Sequence, residues 1–430
     1  MKTKNNNKVI TVVGLGYVGL PLLVLIASKG FNVIGYDISK KRIEDIHNRN
    51  SFSFDYDKKS LEKYIEQGSL RLTDSSECLA ISDVIIVCVP TMIDDNKNPV
   101  TTHLLSATTA IRNKLTKNTT IIYESSTYPG CTRDLVSLLE QSGLSAGIDF
   151  FVGFSPERID PSNKKYFLKN IPKVVSGLTT NCVISISELY INIFDNIHPV
   201  SSLETAEFTK LFENTFRYIN IAYVNEMALA AEKLGLNIWE IINAAATKPF
   251  GYLAFYPGPG VGGSCIPVNP WYMQHTLRKI NQESSLINVS KSVNENMPKH
   301  IVNLVINNKL ISRDELRVLI LGVSYKKNVA DSRLSPSLDI ASSLHKQNIE
   351  FKLFDPYIRE VNINNKQMQV YQSDLKNWID WSNIIIILTN HDNFNYSYLL
   401  KSEKAIIDAR GVLESYNNHF ISTLGKGELK

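Results

Sequence analysis

KVITVVGLGYVGLP, residues 8–21, begins as an unbroken apolar run, passes through glycines spaced GxGxxG at Gly14, Gly16 and Gly19, and continues into an apolar segment of helical character. Apolar side chains at consecutive positions read as a strand covered on both faces, the signature of a parallel sheet. The glycines let the chain turn tightly and let the following helix lie close against the strand. The next run, NVIGYD, closes on Asp37. Strand, glycine turn, helix and strand make a βαβ unit, which opens a doubly wound α/β sheet.

Working outward, DVIIVCVP (83–90) and TTIIYESS (119–126) extend the same sheet. The order then returns near the other end as RVLILGVSY (317–325), a helix around Pro336 to His345, EFKLFDP (350–356), SNIIIILTN (382–390) and KAIIDARG (404–411). The repetition is of pattern and not of residues, and it predicts a second Rossmann-like doubly wound domain with a ligand at the carboxyl ends of its strands. Between the two, Leu203 to Leu234 holds no proline or glycine and places Phe208, Leu211, Phe212, Thr215, Phe216, Ile219, Ala222, Tyr223 and Met227 at helical intervals. One long central helix of some 45 Å joining the domains is the simple reading, two shorter helices the alternative. The expected divisions are 1–200, 201–300 (helical, with a cysteine loop) and 301–430. Phe208, Phe212, Phe216 and Ile219 offer more apolar surface than one small domain covers, which predicts a homo-oligomer, a dimer at least.

The whole chain has 430 residues, 43% hydrophobic and 20% charged, with a net charge of +4, which suits a globular protein of two or three domains. No basic run suggests nucleic acid as a partner. The apolar stretches 18–27 and 384–388 are too short to cross a membrane. The start MKTKNNN leads directly into a strand without a signal-peptide core. The five cysteines are scattered without metal-binding spacing, as expected of a cytoplasmic protein without a metal site.

The GxGxxG turn offers backbone amides and a helix N-terminus to a pyrophosphate. Asp37, 23 residues after Gly14, can accept hydrogen bonds from an adenine-ribose diol, and a 2'-phosphate there would meet its carboxylate. NAD is therefore expected over NADP, with Arg42 the nearby cation that argues the other way. Tyr17 and Val18 inside the turn, and Pro90 and Thr91 where the run 83–90 ends, are counted with Gly14, Gly16, Gly19, Asp37 and Arg42 as cofactor-binding.

The second chemical signal is Pro257-Gly258-Pro259-Gly260-Val261-Gly262-Gly263-Ser264-Cys265. Four glycines beside one cysteine remove side-chain bulk, so that a substrate can approach the backbone and the thiol. A cysteine is ordinarily an inert buried hydrophobe. Cys265 is the one whose surroundings argue otherwise, with Cys131 in TYPGCT a poor second.

GLGYVGLP, ESSTYPG (124–130), FSPERIDP (154–161), TKLFENTFRYINIAYVNEMA (209–228), GPGVGGSCIPVNP (258–270) and SYKKNVADSRLSPS (324–337) together resemble the UDP-glucose/GDP-mannose dehydrogenase family over nearly the whole chain. The SPER, ENTFR and GPGxGG wording is most similar to the branch that oxidises UDP-N-acetylhexosamines, with UDP-N-acetylglucosamine the best expectation. The resemblance implies an NAD-dependent oxidation of the sugar C6 alcohol to a carboxylate, feeding capsule or O-antigen synthesis. It implies Cys265 as covalent nucleophile, Lys210 and Asn214 beside C6, Glu157 orienting or activating water, and Thr127 near the reacting carbon and the cofactor. It places Tyr325 and Lys326 at the UDP moiety and Arg333 near the cofactor, where a local ion pair with Asp331 is the plainer alternative. Arg158, Phe255, Tyr256 and Gly260 join the expected substrate-binding set.

Two positions depart from the pattern. Asn269 stands four residues after the cysteine, where the family has Asp, and an amide cannot act as a carboxylate base. Ser264 replaces the His common in the hexosamine branch and is similar to the GGSC of UDP-glucose enzymes, so UDP-glucose and UDP-N-acetylgalactosamine stand as alternative substrates for the same chemistry. Two other readings stand beside full oxidation: a two-electron dehydrogenase that stops at the aldehyde, and a nucleotide-sugar-binding protein without useful turnover.

Overall fold

The structure, a computed structural model, describes residues 8–48, 57–160, 163, 165–416 and 418–427. The chain forms two compact units, Met1–Glu213 with Trp271–Gln282, and Asn214–Pro270 with Glu283–Lys430.

The first unit is built on eight strands: β1 (Val9–Val13), β2 (Asn32–Tyr36), β3 (Leu70–Thr73), β4 (Val84–Val87), β7 (Thr120–Tyr123), β8 (Phe151–Phe154), β9 (Lys173–Gly177) and β10 (Ile197–Pro199). A separate hairpin is made by β5 (Met92–Ile93) and β6 (Pro99–Val100). The sheet order is β10-β9-β8-β7-β4-β1-β2-β3, parallel except where β9 runs against β8. The order reverses between β1 and β4, which opens a crevice at their carboxyl ends. All four residues of β4 and of β7 are buried, which accounts for their unbroken apolar sequences. The runs at 8–13, 32–37, 83–90 and 119–126 all contain strands. The edge strands β3 and β10 were not expected: LRLT and IHP expose several side chains and carry no apolar run to mark them.

The second unit repeats the plan with β11 (Arg317–Leu321), β12 (Glu350–Phe354), β13 (Glu360–Ile363), β14 (Lys366–Tyr371), β15 (Ile384–Ile387), β16 (Ala405–Asp408) and β17 (Ile421–Thr423), in the order β13-β14-β12-β11-β15-β16-β17. Only the pair β13 and β14 is antiparallel. The expected helix after the first strand is present as Pro336–Lys346, with proline in its first turn and Ser335 capping it. The repetition extends to single hydrogen bonds. Gly14 and Gly322 both have φ of 89° and donate to Tyr36 and Phe354 at 2.8 and 2.9 Å, while Asp37 and Asp355 each accept the amide of the next residue, Leu15 or Val323.

The two aspartates differ in what remains to them. Asp355 is fully buried and accepts hydrogen bonds from Val323, Ser324, Tyr357, Ile358 and His391. It has nothing left for a ribose, so the second sheet keeps the Rossmann frame without a second dinucleotide site. His391 accepts the Asn328 amide on Nδ1, so Nε2 carries the hydrogen donated to Asp355.

The long helix is continuous from Leu203 to Leu234, as the simple reading predicts, and the division into units falls within it after Glu213. Among the described residues no helix is long and apolar enough to cross a membrane.

Candidate active site

The dinucleotide end of the first unit is set by its glycines. A Cβ on Gly14 would lie 2.9 Å from the Cys88 carbonyl, and one on Gly19 would lie 1.9 Å from the Gly14 carbonyl, so neither position accepts a side chain. Around Gly16 there is open space. The helix Gly19–Ser28 follows Val18 with no side-chain cap; the Leu20 amide donates to the Gly16 carbonyl at 3.2 Å and Pro21 has no amide hydrogen, so what this N-terminus offers a ligand is the Gly19 amide and the positive end of the helix. Each Asp37 oxygen accepts one amide, from Leu15 and Ser39, both at 2.9 Å, and keeps a lone pair for a ribose hydroxyl. Arg42 Nε donates to the Leu15 carbonyl at 2.8 Å, so its guanidinium braces the turn. Pro90 and Thr91 follow β4 at the reversal crevice. This cradle fits NAD. Asp37→Ala is expected to narrow the preference for NAD over NADP by about tenfold or more, measured as kcat/KM with each cofactor. Equal efficiency with both cofactors in the unmodified protein would refute the role of Asp37.

Next to this crevice the unit buries an ionic cluster. Glu124 follows β7, Glu157 follows β8, and Lys173 begins β9. Lys173 Nζ donates to Glu124 Oε2 at 2.8 Å and Glu157 Oε2 at 3.1 Å, and Tyr190 donates its hydroxyl to Glu124 Oε1. Glu157 Oε1 accepts the amides of Arg158 at 2.7 Å and Ile159 at 2.5 Å, so its carboxylate folds back onto its own loop. Burial drives its pKa up, but the nearby charges of Lys173 and Lys210 with these hydrogen bonds outweigh it, and the net shift is down. For Glu124 burial prevails and the shift is up. Lys173 is raised: its two carboxylate partners overcome the burial that would lower it.

Lys210 is buried on the long helix and donates its ammonium to the main-chain carbonyl of Glu157. The helix is anchored a turn earlier by Glu207, which accepts the amides of Gly130 and Thr132 at 2.7 and 2.8 Å. Burial, only partly offset by those bonds, pushes Glu207 up to about 7. Arg158 forks onto Glu213 at 2.5 and 3.3 Å and reaches the Pro172 carbonyl at 2.8 Å, so most of its donors are spent on the protein. The hydroxyl of Thr127 is buried beside the Cys131 thiol, a weak acceptor, and has no other partner within the protein.

In the second unit Cys265 is exposed, its Sγ 3.9 Å from the Ser264 hydroxyl. Asn269, buried, opens the helix Asn269–Arg278 and donates its amide to the Cys265 carbonyl at 2.9 Å. Asn214 Nδ2 donates to Asn269 Oδ1 at 2.5 Å. The other four cysteines are buried; burial pushes the thiols of Cys78 and Cys131 up to about 11 and that of Cys88 well above its ordinary value. Both effects make Cys131 a poorer nucleophile than an exposed thiol.

The glycines of the cysteine loop also let it lie close against its own neighbours. A Cβ on Gly263, whose φ is +85°, would lie 2.7 Å from the Tyr325 ring, one on Gly262 2.8 Å from the Leu334 carbonyl, and one on Gly258 2.7 Å from Arg410. Gly263 also donates to the Arg333 carbonyl at 3.0 Å. The glycines therefore seat the loop against the segments that carry Tyr325 and Arg333. Gly260 approaches Asn294 and Pro336. Phe255 meets Phe216 edge-on at 5.9 Å, and Tyr256 stacks on Trp239 at 5.8 Å. The Arg333 guanidinium forks onto Asp331 at 2.7 to 3.1 Å, the local ion pair, with 45% of its side chain still exposed. Lys326 lies two residues before Asn328, which His391 and Asp392 hold from across the loop.

Residues 8–194, 204–296 and 319–415 match, in order, the NAD-binding, central and UDP-binding domains of the UDP-glucose/GDP-mannose dehydrogenase family. A UDP-N-acetyl-D-glucosamine 6-dehydrogenase of Pseudomonas aeruginosa is 38% identical over 355 residues, covering 81% of this chain and 83% of that one. Protein CapL of Staphylococcus aureus is 34% identical, covering 95% and 97%. The chain belongs to the UDP-glucose/GDP-mannose dehydrogenase family. Among solved structures, the UDP-D-ManNAc dehydrogenase of Pyrococcus horikoshii superposes with a TM-score of 0.87 at 30% identity, covering 98% of this dehydrogenase and all of that chain. The chain is an NAD-dependent nucleotide-sugar dehydrogenase.

Sequence reading missed Glu124, Lys173 and Tyr190. Two signals pointed to them: a lone lysine at the head of the apolar run KVVSG, and a glutamate ending TTIIYE, where a parallel strand's carboxyl end meets the crevice.

Proposed function

We propose that the protein oxidises the C6 alcohol of a UDP-N-acetylhexosamine, UDP-N-acetylglucosamine in the first instance, to the UDP-uronate in two successive two-electron steps. The observation that carries this is the exposed thiol of Cys265 in a loop seated by glycines, in a chain whose other thiols are all buried. Bound NAD supplies the hydride acceptor for each step and is exchanged between them. Lys210 steadies the C6 oxygen as its proton leaves, and Asn214, one turn further along the helix, orients it. The Cys265 thiolate adds to the C6 aldehyde, forming a carbon–sulfur bond and a thiohemiacetal that keeps the aldehyde from escaping. Loss of the second hydride and of the hydroxyl proton leaves a thioester. Water adds to its carbonyl and expels the thiolate, giving the carboxylate. Three of the four lone-pair positions of the Glu157 carboxylate are taken, and the remaining one on Oε2 suits it to orient that water rather than to move freely as a base.

In this reading Tyr325 and Lys326 receive the UDP moiety, Phe255, Tyr256 and Gly260 the sugar, and Arg333 approaches the cofactor with the part of its side chain that Asp331 leaves exposed. UDP-N-acetylmannosamine is the second candidate sugar, favoured by the likeness to enzymes named for it. The product would feed a cytoplasmic stage of capsule or O-antigen synthesis. A homodimer is supported by the exposed rings of Phe212, Phe216 and Tyr223 along the long helix. Light scattering at micromolar concentration is expected to give at least twice the chain mass, and a monomer would refute it.

The test is a panel of UDP-sugars with mass spectrometry of the products and NADH counted per sugar consumed. Two NADH and a uronate are expected. One NADH with free aldehyde would favour the early-stopping enzyme, and tight binding with no NADH the binding protein.

A further inference from the structure

We infer that Lys173 is a positioning residue for this oxidation: from between two buried carboxylates it fixes Glu157, and through the main-chain carbonyl of Glu157 it sets the place of the Lys210 ammonium. The inference rests on the proposed function. Lys173, Glu124, Glu157 and Tyr190 are all buried, and they form one continuous chain of hydrogen bonds, Tyr190 to Glu124, Lys173 to Glu124 and Glu157, and Lys210 to the Glu157 carbonyl. Burying a cation between carboxylates is a poor way to stabilise a fold, because the lost hydration offsets most of the attraction. What it does give is orientation. Lys173 is further confined by two rings: its ammonium sits 5.2 Å from the Phe194 ring and 5.9 Å from that of Tyr190.

The geometry makes Glu157 depend on this lysine. Its Oε1 is turned back onto the amides of Arg158 and Ile159, and its Oε2 is held only by Lys173 among the contacts described above. With Lys173 removed, the charged groups left around Glu157 are Glu124 at the end of β7 and Lys210 on the long helix, with the Cys88 thiol after β4, Tyr190 on the helix Thr180–Ile193 and Arg158 alongside. Burial and Glu124 then both oppose the ionised form of Glu157, and Lys210 with the amides of Arg158 and Ile159 is left to support it. Glu157 takes up a proton at higher pH, its loop loosens, and Lys210 loses a fixed acceptor.

The experiment compares full-length Lys173→Met, Lys173→Met/Glu124→Gln and Lys173→Arg with the unmodified enzyme, using the UDP-sugar and NAD. For both Met variants we expect kcat to fall about 10- to 100-fold, KM for NAD to stay within about twofold, and the acid limb of the kcat profile to move up by about one pH unit or more. Lys173→Arg, which keeps the cation, is expected to return the acid limb to its original position. The double variant removes one buried acid with the cation and so keeps the test open if Lys173→Met does not fold. Normal kcat in a Met variant overturns the inference. So does a loss of kcat with an unmoved acid limb, and so does failure of both Met variants to fold, which would assign Lys173 to the fold alone. If the unmodified enzyme turns over no UDP-sugar, the proposed function fails first and takes this inference with it. Turnover that the Met variants match removes only the role of Lys173.

Discussion

Cys265→Ala is expected to lower uronate formation by about 10⁴-fold or more while leaving the melting temperature unchanged, because the thiol is exposed and its loop is held by other groups. The loop's seat is made by Gly258, Gly262 and Gly263 against Arg410, Leu334 and Tyr325, and by the amide of Asn269 on the Cys265 carbonyl. None of these involves the sulfur. No other cysteine can take over, since the remaining four are buried and those of Cys78, Cys88 and Cys131 have thiols pushed up by burial. Cys265→Ser separates the two halves of the reaction. Its alkoxide is far harder to generate near neutral pH than a thiolate with an intrinsic pKa of about 8.5, so the second oxidation stalls. Intact mass spectrometry of that variant after incubation with UDP-sugar and NAD is expected to show a sugar adduct or release of aldehyde. Unimpaired uronate formation by Cys265→Ala would show that the thiol is not the nucleophile.

The sequence announces those parts of this molecule that backbone geometry demands. GxGxxG, the apolar β4 and β7, and the proline- and glycine-free Leu203–Leu234 each leave a pattern, because a tight turn, a strand buried on both faces and a long helix restrict residue type at many neighbouring positions. Two other kinds of feature leave much less. The purpose of the glycines near Cys265 depends on what lies against them, and Tyr325 and Arg410 are distant in sequence. The Glu124–Lys173–Glu157 cluster gathers single residues from three strand ends, and no periodicity links them. A trace the cluster does leave is Lys173 as the single charged residue of KVVSG, since a buried charge on a strand demands a partner.

Asn269→Asp is expected to accelerate turnover about 100-fold and to lower the pH optimum, an effect as large as a general base commonly contributes. In the unmodified enzyme the rate is expected to rise toward alkaline pH, where hydroxide would do part of what a carboxylate at this place would do. Asn269 is buried, accepts the Asn214 amide at 2.5 Å and stands one turn after Cys265. A carboxylate there would accept the same amide through the same oxygen, so the substitution preserves the orientation of Asn214 while adding a base. Its pKa would be raised by burial, so the gain in rate is present above that raised value and fades as pH falls through it. The pH–rate profiles of the two proteins, taken with one UDP-sugar at saturating NAD, decide the matter. If Asn269→Asp loses activity at every pH, the buried amide is a requirement of this enzyme and the account of Asn269 as a missing base is wrong.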